Sequence, residues 1–361
     1  MSTMIETARP PDDVAEGLLG WAERGWLPDP LLRMGIRRLC QQRLREERAG
    51  GVEAQEQRLA QRIQTLAQSP LAVHVDAANR QHYEVPPAFF QLCLGKRLKY
   101  SGCYYPLGNE SLDQAEEAML ALYAQRAQLA DGQQILELGC GWGSLTLWMA
   151  ERYPQARITA VSNSVGQREH IQAQCQRRGL ANVRVITTDV NELELQHGAY
   201  DRCVSVEMFE HLRNYRQLLQ RISQWLRPDG KLFVHIFVHR QFLYPFETEG
   251  EDNWMGRHFF TGGQMPSADT LLFFQQHLAL NQRWLIDGRH YQRTANHWLQ
   301  NQDRHAPEVS TILQRCYGDA APIWQQRWRM FWMSCAELFG LHDGQEWMVA
   351  HYLFDQRKGE G

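Results

Sequence analysis

The sequence predicts an α/β protein built on a doubly wound, mostly parallel sheet, with a helical extension before it and a helical insertion near its end. Three observations carry this fold class. Apolar strand-like runs alternate with helical stretches from about residue 112 to 237, the pattern of helices laid on both faces of a parallel sheet. A glycine-rich turn joins the first of those strands directly to a helix. Two later β-like runs, 278–286 and 347–354, bracket a long stretch rich in Trp and Arg.

Residues 14 to 68 read as helices. Val14, Leu18, Leu19 and Trp21 form a short apolar stripe that the Pro28–Pro30 segment breaks. A second stripe follows at Leu31, Leu32, Ile36, Leu39 and Leu44, and a third at Leu59, Ile63 and Leu66, with Ala49-Gly50-Gly51 as the turn between them. Arg33, Arg37, Arg38, Arg43, Arg45 and Arg48 stand on or beside the second stripe. The favoured reading is a solvated face offset by Glu46 and Glu47; a surface helix attracted to anionic lipid is the alternative. Residues 1–75 therefore read as a helical region ahead of a main domain, 76–361. In that domain a helix at 112–129 leads into a strand at 134–138, then a helix at 144–153 and a strand at 157–161. A helix at 166–179, strands at 183–187 and 201–207, a helix at 215–226 and a strand at 230–237 complete the alternation. The runs 278–286 and 347–354 pair as a closing antiparallel hairpin, and the helical insertion, around 288–340, lies between them.

Composition excludes several classes. Of 361 residues, 43% are hydrophobic and 22% charged, the make-up of an ordinary globular domain and not of a disordered tail. Lys and Arg number 38 against 41 Asp and Glu, a net charge of -3, so no global field draws the chain to nucleic acid. The eight cysteines include no C-x-x-C pair, which leaves no signal for a zinc ribbon or redox motif. Residues 1–20 carry Asp12, Asp13 and Glu16 and no apolar leader, so a reduced, cytoplasmic setting is expected. No apolar run reaches the ~20 residues that cross a bilayer. The best, Leu232 to Val238, is interrupted by His235. The partner is expected to be a small molecule; a homodimer is compatible with the sequence but not required by it.

The sharpest local signal is Ile135-Leu136-Glu137-Leu138-Gly139-Cys140-Gly141-Trp142-Gly143. An apolar strand ends in an acid and a G-x-G-x-G turn, and a helix follows at once. Glycine serves where the backbone takes positive φ or where a ligand presses on it. Turn chemistry alone is the bland alternative. The third glycine comes two residues after the second, not three as in the dinucleotide fingerprint. A dinucleotide site also expects Asp or Glu ~20 residues on, to bind ribose hydroxyls. Here the second strand ends in Val161-Ser162-Asn163-Ser164. NAD is disfavoured, and a smaller adenosine-containing ligand is favoured.

The E-x-G-x-G-x-G string resembles motif I of class I S-adenosylmethionine methyltransferases, whose sheet is Rossmann-like. LELGCGWG, with YSGCYY upstream and VSVEMFEHL downstream, is similar to the cyclopropane fatty acid synthase and coclaurine N-methyltransferase family. The likeness leans toward its coclaurine N-methyltransferase-like members along HYEVPPAFF, LKYSGCYY, AEEAMLALYAQRAQ, FFTGGQMPSA, HYQRTANHWL, CAELFG and EWMVAHYLF, from about residue 14 to 355. The resemblance implies S-adenosylmethionine as cofactor and S-adenosylhomocysteine as its product. It implies that Gly139 and Gly141 line the methionine portion and ribose, with Glu137 orienting the turn. Asn163 and Gln167 are the implied polar contacts at the second strand, and Asp189-Val190 the adenine contacts, although Asp189 read alone is as good a helix N-cap. Tyr100 and Ser101 close over the cofactor from upstream, and Ser205 lies beneath it on the fourth strand.

At the carboxyl end of that strand stand Glu207, Glu210 and His211. Ligands of open α/β sheets gather at such ends. Two carboxylates and an imidazole in five residues suit proton handling; a surface ion-pair cluster or a metal site is the alternative, and no further ligand spacing supports a metal. An acceptor amine with a pKa of ~10 is mostly protonated at neutral pH and lacks a free lone pair. A carboxylate can bind the ammonium, and His211 or Glu210 can then act as base. In cyclopropane synthases the family implies a bicarbonate held by a Cys, a Glu, a His and a Tyr. Glu210, His235 and Tyr291 match the last three, but Gly102 stands at the Cys position, with Cys103 one residue on. Glu207 replaces a small residue of the cyclopropane group. Both departures weigh against cyclopropanation and toward an amine acceptor, although the resemblance implies a Cys at the position of Gly102 in the plant N-methyltransferases too, so this chain departs from both groups there. Phe259, Phe260, Trp324, Trp328, Phe331 and Trp332 offer an aromatic wall, of which Phe260, Trp328 and Phe331 are expected to touch substrate. The expected activity is methyl transfer to a small aromatic or alicyclic amine; a lipid-modifying enzyme of the cyclopropane synthase type is the alternative.

Overall fold

The computed structural model of the chain describes residues 14–72 and 85–357. The expected boundary at 75/76, Asp12, Asp13 and the first residues of the HYEVPPAFF string lie outside the described residues.

Three helices open the chain: α1 (Gly17–Glu23), α2 (Asp29–Arg48) and α3 (Gly51–Gln68). Pro30 sits in the first turn of α2, where its missing N–H costs no hydrogen bond. Gly50 takes φ +80° to turn the chain from α2 into α3. The arginine face of α2 departs from the solvated reading. Arg33 and Arg37 donate to the two oxygens of Glu337 at 2.7 and 2.6 Å, and Arg48 reaches Glu346 at 2.9 Å. These arginines dock the extension onto the C-terminal part of the chain.

The main sheet is built from β1 (Gln134–Leu138), β2 (Arg157–Ser162), β3 (Val183–Thr187), β4 (Tyr200–Val206), β5 (Leu226–His239), β8 (Leu278–Ile286) and β9 (Trp347–Gln356). A separate two-stranded ribbon joins β6 (Tyr244–Pro245) to β7 (Gln264–Met265). The seven strands run in the order β3-β2-β1-β4-β5-β9-β8; β9 alone runs antiparallel, between β5 and β8, and the other six share one direction. The order reverses at β1, so the carboxyl ends of β1 and β4 lie side by side, where such sheets take their ligands. The expected closing hairpin is present as β8 and β9.

Helices follow the strands as expected. Before the sheet come α4 (Pro87–Cys93) and α5 (Leu112–Arg126), the latter opened by a reciprocal Ser111/Gln114 capping box. Within it lie α6 (Ser144–Arg152), α7 (Val165–Arg178) and α8 (Tyr215–Trp225). A short α9 (Trp254–His258) precedes the β7 strand. The insertion between β8 and β9 is helical: α10 (Gly288–Arg304), α11 (Ala306–Tyr317) and α12 (Ala321–Gly340). Its apolar faces are buried through Trp298, Trp328, Trp332 and Phe339 and cover the carboxyl end of the sheet beside α4. No helix among the described residues is long and apolar enough to cross a membrane.

Candidate active site

The glycine turn is built by two different constraints. Gly139 has φ +77°, and a Cβ there would stand 2.7 Å from Cβ of Met208, so this glycine lets β1 and the end of β4 close together. Gly141 has φ +51°, and a Cβ there would meet nothing within 4 Å. Its open side faces a cavity of about 190 Å³ at the carboxyl ends of β1 and β4.

One part of that cavity brings together Tyr100, Ser101, Glu137, Gly139, Gly141, Asn163, Gln167 and Val190, all singled out in the sequence. Trp142 and Ser144 join them. Here buried donors lack partners: Trp142 Nε1, Ser144 Oγ and Gln167 Nε2 have none among the described residues. Buried polar atoms are normally satisfied, so this row is built for a polar ligand. Glu137 is buried, accepts from Thr146 Oγ1 at 2.5 Å, and burial raises its carboxyl to about 8. Two expected contacts are placed differently. Ser205 does not line the cavity; its hydroxyl donates to Leu138 O at 3.0 Å and ties β4 to β1. Asp189 does not line it either. Its Oδ1 accepts from Asn191 N at 2.7 Å and closes a local turn, while Thr188 and Val190 on either side face the cavity.

The other part holds the acid–base cluster. β4 ends at Val206, one residue earlier than expected, and Glu207 adopts φ +46°. A non-glycine residue in that region is held there by its surroundings, and such strain gathers at functional sites. Glu207 Oε1 accepts from the Gly102 amide and faces His235 Nε2, both at 3.0 Å, while Oε2 accepts from the Tyr291 hydroxyl at 2.8 Å. Burial raises Glu207; the nearby Lys99 charge and these donors act against that rise. Glu210 follows in a 3₁₀ turn, Phe209–His211, and its Oε2 is buried with no partner among the described residues. Burial, then the charge of Glu207, pushes Glu210 well above the ordinary carboxyl range. Burial lowers His211 to about 4 although Glu207 opposes the shift, so its imidazole is neutral at pH 7. The ring stacks on Phe260 at 5.8 Å between centroids.

Phe260, Tyr291 and Phe331 line the cavity with Phe237. Trp328 does not: it packs behind the wall against Phe89, Phe259 and Phe331. His235 is also absent from the lining, because its ring lies under Glu207. Cys103 is buried with Sγ 3.6 Å from Ser101 O, away from the cavity. The sequence reading missed Lys99, a buried lysine whose Nζ donates to Ser101 Oγ and Gly102 O, both at 2.6 Å. It lies 5.1 Å from the centre of the Tyr123 ring, and burial lowers its pKa. Its proximity to the YSGCYY string was the only available signal. Among the described residues there is no group of three or more His, Cys, Asp or Glu arranged to hold a metal ion.

Comparison with known proteins agrees with this architecture. Residues 73–346 match the family model described as mycolic acid cyclopropane synthetase. The chain is 38% identical over 346 residues to (S)-coclaurine N-methyltransferase of Thalictrum flavum subsp. glaucum, covering 94% of this chain and 95% of that one. It is 35% identical over 361 residues to pavine N-methyltransferase of the same plant, covering 98% and 100%. A crystal structure of coclaurine N-methyltransferase bound to N-methylheliamine and S-adenosylhomocysteine superposes with a TM-score of 0.90 at 37% identity, covering 94% of this chain and 99% of that one. The partnerless donors beside the glycine turn fit the same cofactor here. The chain therefore belongs to the mycolic acid cyclopropane synthetase family and is a class I S-adenosylmethionine-dependent methyltransferase.

Proposed function

We propose that the methyl acceptor of this S-adenosylmethionine-dependent N-methyltransferase is a small aromatic or alicyclic amine, bound as its ammonium and methylated as the free base. The observation that carries this is the contrast between two neighbouring carboxyls. Glu207 has both oxygens occupied, whereas Glu210 Oε2 is buried beside the cavity with no partner among the described residues. A fixed, strongly held carboxylate suits binding a cation. An unpartnered carboxyl with a raised pKa suits receiving a proton at neutral pH.

When bound, S-adenosylmethionine supplies an electrophilic methyl group. Asn163, Gln167, Ser101 and Tyr100 would hold it, with Val190 at the adenine end and Glu137 beside the glycine turn; Asp189, which closes its own turn, would act only through Val190. Glu207 orients the ammonium, and Glu210, assisted by neutral His211, takes its proton so that a nitrogen lone pair faces the methyl. Phe260 and Phe331 give the organic part an apolar wall and favour a cation near their faces. Tyr291 fixes Glu207, and Trp328 and His235 act from behind the lining. Transfer is an in-line displacement, so alignment supplies much of the rate; well-oriented effective molarities reach roughly 10⁵ M or more. The eight free cysteines are in keeping with work in the cytoplasm.

Release of S-adenosylhomocysteine is the readout that tests this, with purified enzyme offered amines, phenols and unsaturated phospholipid vesicles in turn. Turnover with amines, and a mass gain of one methyl on nitrogen, is expected. A gain of one methylene on a lipid acyl chain, with amines inert, would put a cyclopropane-forming enzyme in its place.

A further inference from the structure

Behind Glu207, on the side away from the cavity, runs a row of buried side chains that the transferred methyl never meets. His235 Nε2 faces Glu207 Oε1 at 3.0 Å. Its Nδ1 lies 2.8 Å from His351 Nε2, the two residues standing directly opposite in the β5–β9 register. His351 Nδ1 in turn lies 2.8 Å from a guanidinium nitrogen of Arg126, at the last turn of α5. The ring of Trp284, on β8, holds that guanidinium at 4.8 Å. Both imidazoles are fully buried.

The chemistry of arginine gives this row a direction. A guanidinium has N–H donors and no acceptor, so His351 Nδ1 must accept. Burial holds His351 and His235 well below the ordinary imidazole range, so both are neutral and each carries one ring hydrogen. For His351 that hydrogen is then on Nε2, where it donates to His235 Nδ1. His235 in turn carries its hydrogen on Nε2 and donates to Glu207. The Tyr123 hydroxyl lies 2.9 Å from the same His235 nitrogen.

We propose that Arg126 is a positioning residue: acting through His351 and His235, it fixes both tautomers so that a ring N–H always points at Glu207 and keeps that carboxylate an acceptor. Two consequences follow. Glu207 is held in the form that binds an ammonium. The row also cannot drain a proton from Glu207, because the nitrogen facing it is already protonated, so the amine proton leaves on the Glu210 and His211 side. This assignment rests on the proposed role of Glu207 for its catalytic meaning, but its geometry is testable without turnover.

The experiment uses the whole chain with ¹⁵N-labelled histidine. Long-range ¹H–¹⁵N correlation should place the hydrogen of both His351 and His235 on Nε2. Arg126→Gln introduces an amide that can accept as well as donate. It should give mixed tautomers at His351 and lower kcat roughly tenfold, about the worth of one hydrogen bond to a charged group, with the Kd for S-adenosylmethionine unchanged. Arg126→Lys retains a donor-only group and should restore both the tautomers and most of the rate. A wild-type His351 bearing its hydrogen on Nδ1 would overturn the proposal. So would equal rate loss in both variants with wild-type tautomers intact, which would make Arg126 a packing contact. If no amine is methylated at all, the tautomer result still decides this inference, and the failure belongs to the acceptor assignment.

Discussion

Tyr291 fills the space that a side chain at position 102 would need. A Cβ built on Gly102 would stand 2.7 Å from Tyr291 Cδ2 and 3.1 Å from Cε2. The same ring delivers its hydroxyl to Glu207 Oε2, and the Gly102 amide serves Oε1. The absent cysteine is thus part of how Glu207 is held. Cys103 does not replace it, since its sulfur points at Ser101 O.

It follows that restoring the family's cysteine damages this enzyme. Gly102→Cys and Gly102→Ala should lower kcat/KM by similar amounts, because the clash begins at Cβ. The loss should be on the order of tenfold to a hundredfold, what one hydrogen bond to a charged group is worth. Added bicarbonate should rescue neither. Initial rates with the best amine give the answer, and wild-type rates in either variant would mean that the ring yields without cost.

Proton removal divides the cluster. Burial lowers His211 to about 4, which makes it a weak base, whereas burial and the Glu207 charge raise Glu210 well above 4.5 and make it the stronger base. Glu210→Gln should therefore cost more kcat than His211→Ala, within the ~10² to 10⁴ typical of acid–base groups. Glu207→Ala should instead mainly raise KM for the amine, because its contact to the cation is made in ground and transition states alike. Solution supplies more neutral amine as pH rises, so the His211→Ala deficit should shrink toward pH ~10. A deficit constant across that range would leave His211 only shaping the pocket.

The sheet was legible because its signals are local. Each strand is a short apolar run, and the glycine turn advertises itself within nine residues. Glu207, Glu210 and His211 were legible for the same reason: a strand end and a single 3₁₀ turn bring them together. What was not legible depends on register or on which layer a ring occupies. His351 meets His235 across 116 residues, and Arg33 meets Glu337 across 304. Aromatic spacing on α12 could not separate Phe331, which lines the cavity, from Trp328, which packs behind it. Ser205 faces a neighbouring strand's carbonyl, a partner no pattern along its own strand reveals.

Glu137 predicts proton-linked cofactor binding. Its raised carboxyl, about 8, is mostly protonated at neutral pH in the free protein, and burial is the leading cause. A cationic ligand in the same cavity favours the charged form and lowers that pKa. Binding then releases protons below pH 8, and affinity for S-adenosylmethionine should rise as pH rises from about 6 to 8. Calorimetry in buffers of different ionisation enthalpy counts the protons, and Glu137→Gln should abolish the linkage. Equal proton release in variant and wild type would assign it to another group.

The last prediction concerns what holds α1 in place. Glu23 Oε1 accepts from Arg327 Nε and Trp254 Nε1, each at 2.9 Å, and Oε2 accepts from the Ala15 amide at 3.1 Å. Both charged partners are buried, with Glu23 1% and Arg327 0% exposed. Removing the carboxylate takes a buried charged partner from Arg327 and two further donors lose their acceptor, so Glu23→Ala should destabilise the fold by roughly 3–5 kcal/mol. The sign of the pH effect follows from two shifts. Burial raises Glu23, but the Arg327 and Trp254 donors outweigh it and hold the carboxyl below 4.5. Its contribution is therefore present above the unfolded value and lost as pH falls below it. His258 Nε2, 3.7 Å from Glu23 Oε1, is held below 6.5 by burial and then by the Arg327 charge. The unfolded chain thus binds a proton there that the folded chain refuses, and stability again falls as pH drops below about 6.5. Urea unfolding at pH 7, 5.5 and 4 should show wild type weakening at each step. Glu23→Ala should begin weaker and weaken less between pH 5.5 and 4, because the paired carboxylate is already gone. A variant as stable as wild type at pH 7 would mean that Arg327 finds another partner and that α1 is held by its apolar contacts alone.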